Sequence, residues 1–265
     1  MRFGAMNFPV TPVLQEIEAF ALLGFDYLEL AMDPPMAHHS TISANQAAIV
    51  KSLRDNKMGL VCHLPTFVST ADLTESIRQA SLTEMRRSMK VAADLGARKI
   101  VLHPSMARGM GAFVLDTVHG YAMDFLSEMV SLAETLDLTL CLENMFPFNG
   151  IGVELDDFEK WLQRFPGLML TLDTGHANID DRRGKRLKGF FDRFGHRIGH
   201  FHLSDNRGKR DDHLAVGQGT VKFAVLVDRI KALGYEDTIT LEVFDADRRM
   251  LVKSRERIEA LLTTS

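Results

Sequence analysis

The chain has 265 residues, of which 46% are hydrophobic and 25% are charged, and its formal net charge is −4 at pH 7. This length is close to the roughly 250 residues of one (β/α)8 barrel, and it is sufficient to bury a large core without covalent cross-links. The acidic balance provides no overall attraction to nucleic-acid phosphates or anionic membranes, so a nucleic-acid partner is disfavoured and a membrane partner is not expected.

Short apolar runs alternate with longer amphipathic stretches along the whole chain. Eight runs are predicted strands, at residues 3–7, 27–31, 60–63, 100–103, 138–143, 168–173, 198–203 and 238–243. Eight helices are predicted, at about residues 12–23, 43–56, 73–95, 119–136, 156–164, 185–194, 223–233 and 248–262. Strict alternation favours a parallel sheet with helical crossovers.

Eight such units favour a closed barrel over an open, doubly wound sheet. The doubly wound alternative is also disfavoured because no glycine-rich phosphate-binding loop follows the first predicted strand. We therefore predict one α/β domain over residues 1–265, folded as a single (β/α)8 TIM barrel.

Most of the predicted strands end at, or are closely followed by, residues that can bind a divalent metal. The candidates are His63, His103, Glu143, Asp173, His176, His202, Asp211, His213 and Glu242. In this fold the carboxyl ends of the strands converge on one mouth, where several carboxylates would repel one another without a cation. The mixture of imidazoles and carboxylates predicts Zn²⁺, Mn²⁺, Co²⁺ or Fe²⁺ rather than Ca²⁺. Nine ligands fit two or three ions, or one ion together with groups that bind substrate.

Other polar residues near these strands receive different interpretations. We expect His200 to point away from His202, towards the helices, and Glu29 to be a core carboxylate paired with an arginine or lysine. Solvated loops or helices are predicted for His38, His39, His119 and His196, with one of the first two within reach of the site.

The two cysteines indicate the compartment. Cys62 and Cys141 each lie in an apolar run, which predicts buried free thiols in a reducing environment. The chain starts directly with a strand-like run and shows no signal-peptide pattern and no long apolar segment. The expected location is the cytoplasm.

As a set, these motifs resemble the xylose isomerase-like barrel superfamily, which includes sugar isomerases, sugar epimerases and endonuclease IV. The matching segments are His-Leu-Pro at 63–65, His-Pro-Ser at 103–105, Leu-Glu-Asn at 142–144, Asp-Thr-Gly-His at 173–176, His-Leu-Ser-Asp at 202–205, Asp-Asp-His at 211–213, Gly-Gln-Gly at 217–219 and Leu-Glu at 241–242. They span most of the chain in the order that the superfamily shows.

The resemblance implies two different metal sites. Sugar epimerases and isomerases hold one divalent ion with the equivalents of Glu143, Asp173, His202 and Glu242, and the two glutamates act as acid and base. Endonuclease IV keeps these four ligands and holds three zinc ions with the equivalents of all nine candidates. The complete set of nine therefore favours hydrolysis.

Three features favour the epimerase group instead. The chain is acidic, the segment at 7–9 lacks the histidine-containing start of the nuclease, and the segment at 65–68 lacks its tyrosine-led wedge. Phe67, in that last segment, is interpreted as a wall of a small-substrate pocket.

The leading hypothesis is a divalent-metal-dependent sugar or sugar-phosphate isomerase or epimerase. It would act on a small carbohydrate through an enediolate, with Glu143 and Glu242 as the catalytic pair. The alternative is a multi-zinc phosphoesterase resembling endonuclease IV and acting at abasic sites in DNA. A barrel without catalytic function is disfavoured, because unpaired carboxylates at a barrel mouth are costly.

Overall fold

The computed structural model describes residues 1–181 and 183–264, and it contains a closed barrel of eight parallel strands. The strands are β1 (Arg2–Met6), β2 (Tyr27–Ala31), β3 (Gly59–His63), β4 (Lys99–Leu102), β5 (Thr139–Glu143), β6 (Met169–Asp173), β7 (Ile198–Leu203) and β8 (Thr238–Leu241). Each strand pairs with its neighbours in chain order, and β1 closes the ring on β8. The predicted (β/α)8 barrel is confirmed; the last residue of the predicted domain, Ser265, lies outside the described residues.

Ten α-helices occur among the described residues, two more than predicted. They are α1 (Val13–Leu22), α2 (His39–Ala44), α3 (Gln46–Asp55), α4 (Glu75–Asp94), α5 (Leu115–Thr135), α6 (Leu155–Arg164), α7 (Thr174–Asn178), α8 (Lys185–Phe194), α9 (Phe223–Ala232) and α10 (Arg249–Thr263). The helix predicted at 43–56 is two helices that meet at Asn45, whose side chain donates to the Thr41 carbonyl. The short α7 was not predicted; Asp173 begins it by accepting from the backbone N–H of His176.

Alternation along each strand separates two kinds of interior. In β5, Leu140 and Leu142 point outwards and belong to the main apolar core between the strands and the helices. The helices bury aromatic faces there: Phe158 of α6 lies edge-to-face against Phe190 of α8, with ring centroids 5.2 Å apart. The other face of each strand lines the inside of the barrel, where Glu29, Thr171 and His200 are fully buried.

The centre of the barrel contains a buried polar row that corrects two predictions. Glu29 of β2 contacts His200 and His202 of β7, and since these strands are not neighbours the contacts cross the barrel interior. His200 therefore points inwards, because residues two apart on a strand share one face. The partners of Glu29 are these histidines and Thr240, not an arginine or lysine.

A lysine closes the opposite, amino-terminal end of the barrel. The ammonium of Lys99 donates to the Gly199 carbonyl at 2.6 Å, to Asp237 at 2.8 Å and to the Thr238 hydroxyl at 2.7 Å. These contacts tie β4 to β7 and β8 across the barrel.

Both cysteines are buried and free, as expected. None of the described helices offers the long, uncharged apolar stretch that a membrane span requires.

Candidate metal centre and active site

Four side chains from four neighbouring strands converge at the carboxyl end of the barrel. Glu143 and Asp173 end β5 and β6, His202 lies in β7, and Glu242 directly follows β8. His202 Nδ1 lies 3.3 Å from Glu143 Oε1, 3.8 Å from Asp173 Oδ2 and 3.5 Å from Glu242 Oε2. One ligand atom from each residue lies within 4.8 Å of the others. We call these residues the four-ligand cluster.

The facing atoms of this cluster are buried and have no hydrogen-bond partner among the described residues. These atoms are Glu143 Oε1, Asp173 Oδ2, His202 Nδ1 and Glu242 Oε2. Leaving buried polar atoms without partners is costly, and three carboxylates this close repel one another. A divalent cation would satisfy all four atoms at once, and three oxygens with one imidazole nitrogen suit Zn²⁺, Mn²⁺ or Co²⁺. The residues present therefore fit such an ion.

Glu143 also belongs to a second group. Its other carboxylate oxygen, Oε2, lies 3.3 Å from His63 Nε2 and 3.1 Å from His103 Nε2. His63 ends β3 and His103 follows β4, so three consecutive strand ends supply this group. With one oxygen facing each group, Glu143 would be able to serve as a ligand in both groups.

The third group lies at the outer edge of the mouth. Asp211 Oδ2, in the loop after β7, lies 3.1 Å from His176 Nε2 and 2.9 Å from His213 Nε2. His176 Nδ1 is also 3.2 Å from Glu143 Oε1, which joins this group to the four-ligand cluster. All nine residues predicted from the sequence thus lie in one connected cluster.

Three histidines of this cluster are held from outside by backbone carbonyls. The ring Nδ1 atoms lie 2.9 Å from the oxygen of Leu64 for His63, 2.9 Å from that of Asn144 for His176 and 3.1 Å from that of Glu242 for His213. A carbonyl only accepts, so each Nδ1 carries a proton, and each Nε2 is the nitrogen turned towards the carboxylates of the cluster. Outer contacts of this kind orient histidines that bind metals.

His202 is oriented by a buried carboxylate instead. Its Nε2 donates to Glu29 Oε1 at 2.9 Å, which leaves Nδ1 facing the four-ligand cluster. The second oxygen of Glu29 lies 2.9 Å from His200 Nε2 and accepts from the Thr240 hydroxyl. Burial alone would raise the pKa of Glu29, but the charges of the two histidines hold it well below its usual range. The carboxylate is therefore ionised and keeps the proton of His202 on Nε2.

The two glutamates of the mouth lie in different electrostatic environments when no ion is bound, and their pKa values shift in opposite directions. Burial would raise the pKa of Glu143, but the facing imidazoles, His202 foremost, outweigh it and hold the pKa well below its usual range. Burial raises the pKa of Glu242 to about 7, with the negative charges of Asp173 and Glu143 adding to it against the facing histidines. The two carboxyl groups thus differ in proton affinity.

The loop after β7 is built around Asp205. Its carboxylate accepts backbone N–H groups of Gly217 at 2.9 Å, Gly219 at 2.8 Å and Val221 at 3.0 Å. A Cβ atom on Gly219 would overlap this carboxylate, so only glycine permits the approach. The same loop holds His213 at φ 46°, in the left-handed region that is costly for residues other than glycine.

Two asparagines that received no role from the sequence lock strand ends together. Asn144, just after β5, accepts from the Asp173 N–H at 2.8 Å and donates to the Asp173 carbonyl at 3.0 Å. Asn7, just after β1, makes the same pair of contacts with Ala31 of β2, at 2.6 and 3.5 Å. The signal in the sequence was an amide residue directly after a strand.

A cavity of about 400 Å³ opens above the cluster. His63, His103, His176 and Glu242 form part of its floor, and its walls are mostly apolar. Aromatic wall residues are Phe8, Phe67, Phe146 and Phe244. Phe67 thus lies where a pocket wall was predicted. The volume suits a small organic molecule better than a macromolecule.

The other predicted histidines do not join this cluster. His38 and His39 lie at the start of α2 and contact Glu84 of α4 instead. His39 is 12% exposed at its side chain, so the prediction of a solvated residue is wrong for it. His196 is exposed and His119 half-buried.

Comparisons with known proteins agree with this architecture. A family model described as a xylose isomerase-like TIM barrel matches residues 17–262. An uncharacterised protein of Methanocaldococcus jannaschii is 26% identical, over 99% of this chain and 89% of its own length. Fructoselysine 3-epimerase of Escherichia coli O157:H7 is 24% identical, over 91% of this chain and 90% of that enzyme. The crystal structure of a D-tagatose 3-epimerase-like protein has a TM-score of 0.88 at 25% identity, covering 99% of this chain and 97% of that one.

Proposed function

We propose, on the premise that the chain belongs to the xylose isomerase-like TIM barrel family, that it is a divalent-metal-dependent isomerase or epimerase of a sugar or sugar phosphate. The observation that carries the proposal is the four-ligand cluster, in which two glutamates on β5 and β8 face each other across a buried group of unpartnered atoms. The match to fructoselysine 3-epimerase over most of both chains supports this class of reaction.

The ion would be held by Glu143, Asp173, His202 and Glu242. As a Lewis acid it would polarise the carbonyl of a ketose or aldose and stabilise negative charge on the neighbouring oxygen. One glutamate removes the proton from carbon, and the other returns a proton to the same or the adjacent carbon. His176, beside Glu143, would hydrogen-bond a substrate hydroxyl.

The cavity supports a small substrate. Its aromatic walls exclude water from the reacting carbons, which strengthens the electrostatic contacts at the floor. Arg108 lies in the same wall, where it would meet a phosphate or another anionic group of the substrate.

Hydrogen exchange tests this proposal directly. Ketoses and their phosphates are incubated in heavy water with the protein and Mn²⁺, Co²⁺ or Zn²⁺, and deuterium at carbon is followed by NMR. We expect uptake into at least one substrate and loss of about 10²- to 10⁴-fold in rate for Glu242→Gln, the usual contribution of a general acid or base. Glu236→Gln, at the exposed opposite end of β8, should exchange at the original rate. Absence of exchange in the whole panel would contradict the proposal.

A second function is favoured by one specific observation. His63 and His103 face the second carboxylate oxygen of Glu143, Oε2, so the chain has donors for more than one ion. That donor set suits a multi-zinc phosphoesterase, in which several ions hold the phosphate oxygens and activate water.

Metal content and an abasic oligonucleotide separate the two functions. Near three zinc ions per chain, with cleavage of the oligonucleotide, would select the phosphoesterase. About one ion per chain at the cluster, deuterium uptake and an uncut oligonucleotide would select the isomerase or epimerase.

A further inference from the structure

A fourth group of side chains that could hold a metal ion lies outside the barrel mouth. His38 immediately precedes α2, His39 is its first residue, and Glu84 lies in the middle of α4, which packs against α2. We call these three residues the α2–α4 triad. Its ligand atoms lie within 4.8 Å of one another, and its side chains are 12–33% exposed. An ion from solvent can therefore reach it without passing through the cavity.

The donor atoms of the triad converge on one point. Glu84 Oε2 lies 3.0 Å from His38 Nε2 and 2.9 Å from His39 Nε2, and the two ring centroids are 4.0 Å apart. Tetrahedral zinc with bonds of about 2.0–2.1 Å keeps neighbouring donor atoms roughly 3.3 Å apart. The observed separations are a few tenths of an ångström shorter, a difference that small rotations of exposed side chains remove.

Contacts around the triad hold its members in this orientation. His38 Nδ1 accepts from the backbone N–H of Ser40 at 3.4 Å and lies 2.8 Å from the Ser40 hydroxyl, and these contacts fix the ring with Nε2 turned towards Glu84. The second oxygen of Glu84 faces Arg87 at 3.8 Å, so Oε2 is the oxygen turned towards the histidines. Burial would raise the pKa of Glu84, but the two histidines lower it, so the carboxylate is ionised at neutral pH.

The geometry points to a second metal site at which His38, His39 and Glu84 bind a divalent transition-metal ion such as Zn²⁺, with water completing its coordination. Two imidazoles and one carboxylate suit this class of ion and not Ca²⁺ or Mg²⁺, which prefer all-oxygen shells. The ion would cross-link α2 to α4. Met85, next to Glu84 on α4, lines the cavity, so this cross-link would brace one of the cavity walls.

Zinc binding to the full-length chain without a histidine tag tests the site. The protein is stripped with a chelator, dialysed and titrated with Zn²⁺ by calorimetry, and bound zinc is counted by elemental analysis. We expect His39→Ala and Glu84→Gln each to bind one zinc fewer than the original chain. Ser40→Ala should keep the site but weaken it by about 10- to 100-fold, as is usual for a partner of a metal-bound histidine.

Two controls make the result specific. His196→Ala removes an exposed histidine on another part of the surface and should bind as many ions as the original chain. Deuterium exchange into substrate, where found, should persist in Glu84→Gln, because the triad lies outside the barrel mouth; failure at one site is thus separable from failure at the other. Equal zinc counts and affinities in all chains, or an equal loss in His196→Ala, would overturn the proposal. The triad would then be a hydrogen-bonded contact between two helices.

Discussion

At the scale of single residues, Glu29 acts on the mouth through His202 without belonging to the cluster. It lies in the middle of the barrel, fully buried, and fixes the proton of His202 on the nitrogen that faces away from the cluster. Without that contact the ring of His202 could turn or carry its proton on Nδ1, where it would block an ion. Glu29 is therefore a positioning residue.

Glu29→Gln should weaken metal binding at the four-ligand cluster. The amide keeps the size of the side chain but loses the charge that orients His202, and changes of this type cost about 10- to 100-fold in affinity. Competition with a chromogenic chelator measures the effect. Glu16→Gln is the matched control, since Glu16 is equally buried but pairs with Arg248 outside the barrel. The same loss in both variants would mean that any buried charge matters and would count against a positioning role.

The two cysteines should be inert in the folded protein. Burial raises the pKa of the Cys62 thiol far above its usual range and raises that of Cys141 to about 12, so almost no thiolate forms near neutral pH. An aromatic disulfide reagent at pH 8 should label both thiols more than about 100-fold more slowly in the native than in the urea-unfolded chain. Rapid labelling of one native thiol would place it at the surface.

At the scale of elements, the base of the barrel depends on one cross-barrel tie. Lys99 of β4 donates to groups of β7, β8 and the residue before β8, and its side chain is only 12% exposed. Burial alone would raise the pKa of Asp237, but Lys99 lowers it below its usual value. The stabilisation from this pair is therefore complete at neutral pH and is lost as the pH falls through the lowered pKa.

Lys99→Met should lower the free energy of unfolding by about 2 kcal/mol at pH 7, because it leaves the partly buried acceptors without their donor. Urea unfolding followed by circular dichroism measures this change. The neighbouring exposed pair of Arg98 and Asp137 supplies the control, since Arg98→Met should change stability by less than about 0.5 kcal/mol. Metal content should stay the same in both variants, as the tie lies at the other end of the barrel.

The order of strands was predictable because apolar runs of this length bounded by amphipathic stretches have few alternatives. The break at Asn45 was not, since it depends on a side-chain contact with a carbonyl four residues back. The grouping of the ligands followed from the rule that parallel strand ends meet at one mouth. The orientation of His200 was mispredicted although periodicity alone decides it, whereas the contact of Glu29 with β7 spans 171 residues and leaves no local signal.

At the scale of the whole molecule, buried polar atoms without hydrogen-bond partners cluster at the mouth, where an ion would satisfy them. Half of the ten buried atoms without a partner in the described part of the chain belong to it. The folded chain should therefore gain stability from a divalent ion, because unfolding separates the strands that supply the ligands.

Removing metal with a chelator should lower the melting temperature, and restoring it should raise it again. An ion at about 100 times its dissociation constant stabilises the fold by about 2.7 kcal/mol, which corresponds to roughly 5–10 °C for a chain of this size. Differential scanning fluorimetry with Mn²⁺, Co²⁺ and Zn²⁺ measures the shift. Asp173→Asn should reduce it, whereas Lys51→Gln, at an exposed surface pair, should leave it unchanged. A melting temperature that does not change with any of the three ions would exclude a metal site whose occupancy stabilises the fold.

Glu143 and Glu242 leave strands that stand three positions apart in a ring of eight. In the proposed reaction, a flat enediolate between them presents one face to each carboxyl group. A hydrogen removed from one face and replaced on the other inverts the configuration of the carbon. The removed proton and the added proton are then held by different carboxyl groups. Product formed early in heavy water should then be fully labelled while recovered substrate stays unlabelled. The spacing of the two strands around the barrel would thus determine how deuterium is distributed between product and recovered substrate.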